Sequence, residues 1–181
     1  MGKYVALLRG INVGGNNIIK MADLKACFEA SGFEHVTTFI QSGNVVFEAY
    51  EPNRTKLTQK IESILAKTFS YKARIVLCSH TDLQKIIAAA PPGFGANPSM
   101  YRSYVLFLKE PLTAAMALPQ IPLRDGVDTA WAGPGVLFHQ RLEAKATQSY
   151  LNKLVAMPIY QDMTIRNWNT TTKLLAILEK M

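Results

Sequence analysis

Tyr4-Val5-Ala6-Leu7-Leu8, closed by Arg9-Gly10, is a short unbroken apolar run that leads straight into the turn-forming stretch Gly10 to Asn17 (GINVGGNN). A run of this length ending at a glycine reads as a strand. Apolar residues at both alternating sets of positions mean that it is covered on both faces. Strand one is therefore expected at the centre of a sheet. Downstream, Met21, Leu24, Cys27 and Phe28 fall near helical spacing until Ser31-Gly32 stops them. Val36 to Ile40 is β-branched, Ser42-Gly43-Asn44 is a tight turn, and Val45-Val46-Phe47 is the returning strand. Leu57, Ile61, Ile64, Leu65 and Phe69 mark an amphipathic helix, and Arg74 to Cys78 a further apolar strand. The first 79 residues read β-α-β-β-α-β.

The pattern then repeats. Thr81 to Gln84 resembles a capping box opening a short helix, and Pro91-Pro92-Gly93 with Gly95 to Pro98 breaks the chain. Tyr101 to Leu108 predicts a strand, Pro111 to Leu118 a helix, and Gly126 to Ala132 with Val136 to Gln140 a strand pair about Gly133-Pro134-Gly135. Thr147 to Ala156 predicts a helix, Asp162 to Arg166 a strand, and Thr170 to Lys180 a closing helix with Leu174, Leu175 and Leu178 as its apolar stripe. The expected class is α+β: two ferredoxin-like halves with antiparallel sheets, over 1–90 and 91–181, plus a C-terminal helix.

Composition narrows the function classes. Of 181 residues, 49% are hydrophobic and 18% charged, enough to fill a core and too apolar for a disordered chain. The longest apolar stretches fall far short of the roughly 20 residues of a membrane helix, so no membrane partner is expected. No secretory pattern opens the chain, and two cysteines make no disulfide framework, so a cytoplasmic setting is expected. The net charge of +7 is spread evenly: ten Lys/Arg against six Asp/Glu in 1–79, and ten against seven in 80–181. Nucleic-acid surfaces usually cluster their cations, so this partner is weakly supported.

Chemistry is expected where strand one ends. In a split β-α-β sheet strand three runs antiparallel to strand one, which places Arg9 beside Gln41 to Asn44. The loop Gly10 to Asn17 springs from the same edge. Arg9, Gly10, Asn12, Gly14, Gly15, Asn17, Gln41, Ser42 and Asn44 thus form a candidate anion site, the guanidinium supplying a planar fork and the glycines close backbone approach. The same Asn and Gly residues also suit tight turns for backbone reasons alone. A Walker loop is excluded because Asn16 and Asn17 stand where Lys and Ser/Thr belong, and Gly10, Gly14 and Gly15 miss the G-x-G-x-x-G spacing. An RNA-recognition platform is excluded on strand three, whose Val45-Val46 stand where stacking aromatics belong; Tyr4, Phe39 and Phe47 read as core.

Catalytic signals are thin. His35, His80 and His139 have no ligand spacing, so neither a metal nor a cofactor is expected. Cys27 and Cys78 sit in apolar patterns, Ser42 lacks the G-x-S-x-G elbow, and Asp125 and Asp128 read as turn caps.

Three blocks carry a resemblance: Leu8 to Gly15 (LRGINVGG), Gln41 to Phe47 (QSGNVVF) and Arg166 to Thr170 (RNWNT). Together they resemble the signature of the bacterial DUF1697 family, a domain of unknown function, over residues near 3 to near 178. The resemblance implies the same two-half α+β fold and no activity. It also adds Arg166, Asn167 and Trp168 to the candidate ligand-binding residues. Three readings follow: a protein binding a small anionic ligand, phosphorylated or nucleotide-like; an enzyme acting on such a ligand; and a nucleic-acid binder.

Overall fold

The computed structural model describes residues 1–12 and 17–181. Two compact units are present, one of Met1–Leu83 with Leu174–Met181, the other Gln84–Lys173, against the 1–90 and 91–181 read from the sequence.

In the first unit the order is β1 (Gly2–Leu8), α1 (Met21–Ala30), β2 (Glu34–Phe39), β3 (Asn44–Ala49), α2 (Arg54–Phe69) and β4 (Ile75–Ser79). The antiparallel sheet runs β2-β3-β1-β4, so β1 is central as its double-sided apolar run requires. Tyr4 opposes Phe47 and Leu7 opposes Asn44, which fixes the end of β1 against the start of β3. Ala6, Leu8, Val45 and Phe47 pack with Leu24 and Phe28 of α1 and Leu57, Ile61 and Leu65 of α2. On the other face Val5, Leu7 and Val46 are fully buried as well. Asn53 caps α2 by accepting from the Lys56 amide at 3.0 Å, leaving an i, i+4, i+8 stripe to face the sheet.

The helix α3 (His80–Ala88) follows β4 directly. Its cap is Ser79 rather than a residue of the expected Thr81 to Gln84 box. Ser79 Oγ accepts from the Asp82 amide at 3.1 Å, and Asp82 Oδ2 accepts from the Ser79 amide at 2.8 Å. This reciprocal pair starts the helix two residues early.

The second unit repeats the order: β5 (Tyr101–Leu108), α4 (Ala114–Ala117), β6 (Asp128–Gly133), β7 (Val136–Leu142), α5 (Leu151–Leu154) and β8 (Met163–Asn167), with α6 (Trp168–Lys180) closing the chain. Its sheet runs β6-β7-β5-β8, again antiparallel with the unit's first strand central. Leu106, Leu137, Leu108 and Met163 pack against Ala117, Leu151 and Leu154. The helix expected over 147–156 is a single turn, α5, preceded by a 3-10 segment at Glu143–Gln148. Ser149 is extended (φ −61°, ψ 143°) because its hydroxyl donates to Asp128 Oδ1 at 2.5 Å while the Tyr150 amide donates to Oδ2 at 2.8 Å. A buried carboxylate thus captures the residues that a longer helix would have used.

Candidate functional site

The end of β1 is held from both sides. The Leu8 amide donates to Gly43 O at 2.8 Å, and the Arg9 amide donates to Arg74 O at 3.0 Å. Arg9 therefore leaves the sheet between the Gln41–Gly43 turn and the residue that enters β4, so two arginines share one sheet end. Gly43 must be glycine here: its φ is +76°, and a Cβ would stand 2.5 Å from Ile11 Cδ1 and 2.9 Å from Leu8 Cβ. Gly10 also has a positive φ, +70°, but no atom of the described residues lies within 4 Å of where its Cβ would be.

The asparagines of the loop are committed to its shape. Asn12 Nδ2 donates to Ile19 O and to Gln41 O, each at 2.9 Å, and its Oδ1 accepts from the Ile19 amide at 2.8 Å. One carboxamide joins the entry of the loop, its exit and the β2–β3 turn. Asn17 Nδ2 donates to Gly10 O at 2.9 Å. Asn44 is fully buried, its Nδ2 donating to Phe39 O at 2.9 Å and Ser42 Oγ at 3.2 Å. Arg9, Gly10, Asn12, Asn17, Gln41, Ser42 and Asn44 are thus brought to one sheet end, with Asn12, Asn17 and Asn44 as its frame. Arg9 and Ser42 are half-buried there, and Gly10 and Gln41 are exposed. Gly14, Gly15 and Asn16 lie outside the described residues.

The third sequence block lies in the second unit, and its members have separate tasks. Arg166 is buried, its Nη1 donating to Thr164 Oγ1 and Ile165 O, both at 2.8 Å. Burial pulls its guanidinium down to about 10 against the opposing pull of Tyr160, so Arg166 belongs to the interior of the strand. Asn167 Oδ1 accepts from the Thr170 amide at 2.7 Å and caps α6. Trp168 is half-buried and meets Phe94 edge to face, with ring centroids 5.2 Å apart. Gly95, at φ +76°, lies against the indole so closely that a Cβ would stand 2.0 Å from Trp168 Cδ1. Beside it opens a cleft of about 440 Å³ lined by Tyr101, Arg102, Ser103, Asn167, Trp168 and Asn169 among others. Sequence reasoning read Gly95 as a linker breaker, passed over Arg102, and quoted Asn169 within the third block without assigning it to the site. Arg102 emerges only from the fold, which brings β5 beside the start of α6.

Other reactive groups are quiet. Cys27 and Cys78 are buried free thiols, and burial, with Asp82 nearby, pushes Cys78 up to about 12. Phe47 packs among Phe28, Phe33 and Tyr4, so these rings fill the core rather than offer a stacking surface. Among the described residues no group of three His, Cys, Asp or Glu is placed to hold a metal ion. No helix among them is long and apolar enough to cross a membrane.

Paired split β-α-β sheets, with an asparagine-framed loop at the end of the first strand, define an α+β protein of two ferredoxin-like units. The chain belongs to the DUF1697 family of proteins of unknown function, whose family model matches residues 1–138. That span holds the first two sequence blocks and ends before the third. Among solved structures the chain is similar to the conserved bacterial protein SP0830 from Streptococcus pneumoniae, at 27% identity and a TM-score of 0.85, over 98% of each chain. No curated protein matches it.

Proposed function

We propose that the protein binds a small anionic ligand, phosphorylated or nucleotide-like, at the end of β1. The observation that carries this reading is the passage of Arg9 between the Gln41–Gly43 turn and Arg74, which sets two arginines at the base of a polar loop. A guanidinium offers paired donors to phosphate or carboxylate. The Asn12 carboxamide pins the ends of that loop in advance, which lowers the ordering cost of binding. A reducing, cytoplasmic setting suits two buried free thiols.

Thermal shift with and without phosphate-bearing metabolites tests the reading. A ligand at about 100 times its dissociation constant adds about 2.7 kcal/mol of stability. Arg9→Ala is expected to abolish that response, read as the ligand-induced shift over the variant's own unliganded melting temperature. A parent protein that answers no phosphate-bearing compound, together with an Arg9→Ala variant destabilised by roughly 1–3 kcal/mol, assigns Arg9 to the scaffold instead.

A further inference from the structure

We propose that the cleft beside Trp168 is a second binding site, for the base and phosphate of a mononucleotide; it rests on residues of the second unit and not on the loop after β1. Its volume of about 440 Å³ falls within the range of small-ligand sites, about 300–1,000 Å³. Trp168 supplies an aromatic surface whose position is fixed by Phe94 edge-on and by Gly95 against its Cδ1 and Nε1. A rigid ring is the group on which a base stacks with little loss of side-chain freedom.

The polar groups around the ring suit a base edge. Asn167 and Asn169, both exposed, flank Trp168 in the chain and line the same cleft. Asn167 uses its Oδ1 on the Thr170 amide, which directs its Nδ2 donor elsewhere. The Asn169 carboxamide brings a donor and an acceptor together, the pairing that reads an adenine edge. Arg102 supplies a cationic donor whose charge it shares with Glu143. Its Nε and Nη2 donate to Glu143 at 2.6 and 2.8 Å, a fork that orients the guanidinium and takes no part of Nη1. Among the described residues no carboxylate lines the cleft itself; the carboxylate that meets its cation, Glu143, takes the Nε and Nη2 side of Arg102 and leaves Nη1 to a phosphate. A sugar site would more often recruit a carboxylate to accept from hydroxyls, and this cleft offers an indole, amides and a cation instead.

The experiment is an NMR titration of the full chain with adenosine monophosphate, following the indole N–H resonances. The chain has two tryptophans, Trp131 and Trp168, so the signal of Trp168 is identified by its loss in Trp168→Phe. The Trp168 resonance is expected to shift saturably. Asn169→Ala, a change at an exposed position, is expected to weaken binding about tenfold. Arg102→Gln is expected to bring the affinity for adenosine monophosphate down to that for adenosine, leaving adenosine unaffected. A Trp168 resonance that does not move at about 10 mM nucleotide, with adenosine, guanosine, cytidine and uridine monophosphates each tried, overturns the proposal. So does a shift of equal affinity in Asn169→Ala and Arg102→Gln.

Discussion

His139 Nε2 stands 3.5 Å from Asp128 Oδ1, and solvent reaches neither side chain. Burial drives the imidazole down from 6.5 to about 4, with Asp128 opposing the shift and Arg141 adding to it. Burial alone would raise the Asp128 carboxyl. Donation from Ser149 Oγ and from the Tyr150 and Arg124 amides, with His139 beside it, holds it below its ordinary value instead. The pair is therefore a neutral histidine beside a carboxylate.

The first prediction is acid lability. A histidine whose folded value lies below its unfolded one binds its proton more readily when the chain unfolds. The stability it confers is complete above about pH 6.5 and falls away as pH drops toward 4. A shift of that size is worth roughly 3 kcal/mol, and the lowered Asp128 acts in the same direction at still lower pH. Chemical denaturation at pH 7.5, 6, 5 and 4 measures it. His139→Leu should flatten the decline between pH 6.5 and 4, and a parent protein equally stable at pH 7.5 and pH 4.5 contradicts the assignment.

The second prediction concerns Asp128 as a clamp. Its carboxylate accepts from the Arg124 amide at 3.0 Å, the Tyr150 amide at 2.8 Å and Ser149 Oγ at 2.5 Å, so it binds the entry to β6 to the start of α5. Asp128→Ala strands all three donors, at an expected cost of about 2–4 kcal/mol. Ser149→Ala removes only one partner and should cost about 1 kcal/mol. Urea unfolding of the two variants ranks them, and equal losses would show that the hydroxyl alone matters.

These buried links show where sequence reading stops. The central place of β1 was legible because Tyr4 to Leu8 is apolar at every position, and the β2–β3 hairpin because Ser42-Gly43-Asn44 sits between two β-branched runs. Asp128 was legible as a turn cap, although the strand expected over Gly126 to Ala132 begins at Asp128 itself. The reach of its carboxylate to Ser149 and Tyr150 was not, because that contact depends on how the second sheet closes, and so the helix over 147–156 came out short. The asparagines stood open between ligand and turn roles for the same reason. Asn12 and Asn44 look like donors waiting for a ligand, yet each meets backbone carbonyls that only the folded hairpin brings within reach. Trp168 was visible as a motif residue, whereas its neighbour Gly95 carried no local signal beyond a chain break.

The third prediction separates two glycines of like conformation. Gly10 and Gly43 both have a positive φ, but among the described residues only Gly43 faces side chains where a Cβ would stand. Gly10→Ala is expected to cost about 1–2 kcal/mol, the left-handed backbone alone. Gly43→Ala adds displacement of Ile11 and Leu8 to the same backbone term and should cost about 2–3 kcal/mol more. Equal losses in thermal unfolding would mean that the turn relaxes around the added methyl.

The fourth prediction tests whether Asn12 is frame or ligand group. Its φ of +54° is tolerated by asparagine better than by most residues, and its carboxamide is matched at every polar position. Both Nδ2 hydrogens face carbonyls, of Ile19 and of Gln41, and Oδ1 faces the Ile19 amide. Asn12→Ala loses these bonds and keeps the unfavourable φ, at an expected cost of about 2–3 kcal/mol. Asn12→Asp keeps the shape and the acceptor for the Ile19 amide but turns a carboxylate oxygen toward two carbonyl oxygens. It should therefore be the worse change above about pH 5, losing about 3–4 kcal/mol, and should recover part of that loss as acid protonates the carboxyl. Asn12→Gly relieves the backbone and should fall between the parent and Asn12→Ala. Urea unfolding of the three variants at pH 7 and pH 4 gives the order directly. A ligand group not used by the scaffold would leave all three variants near the parent's stability, and that result would return Asn12 to the anion site.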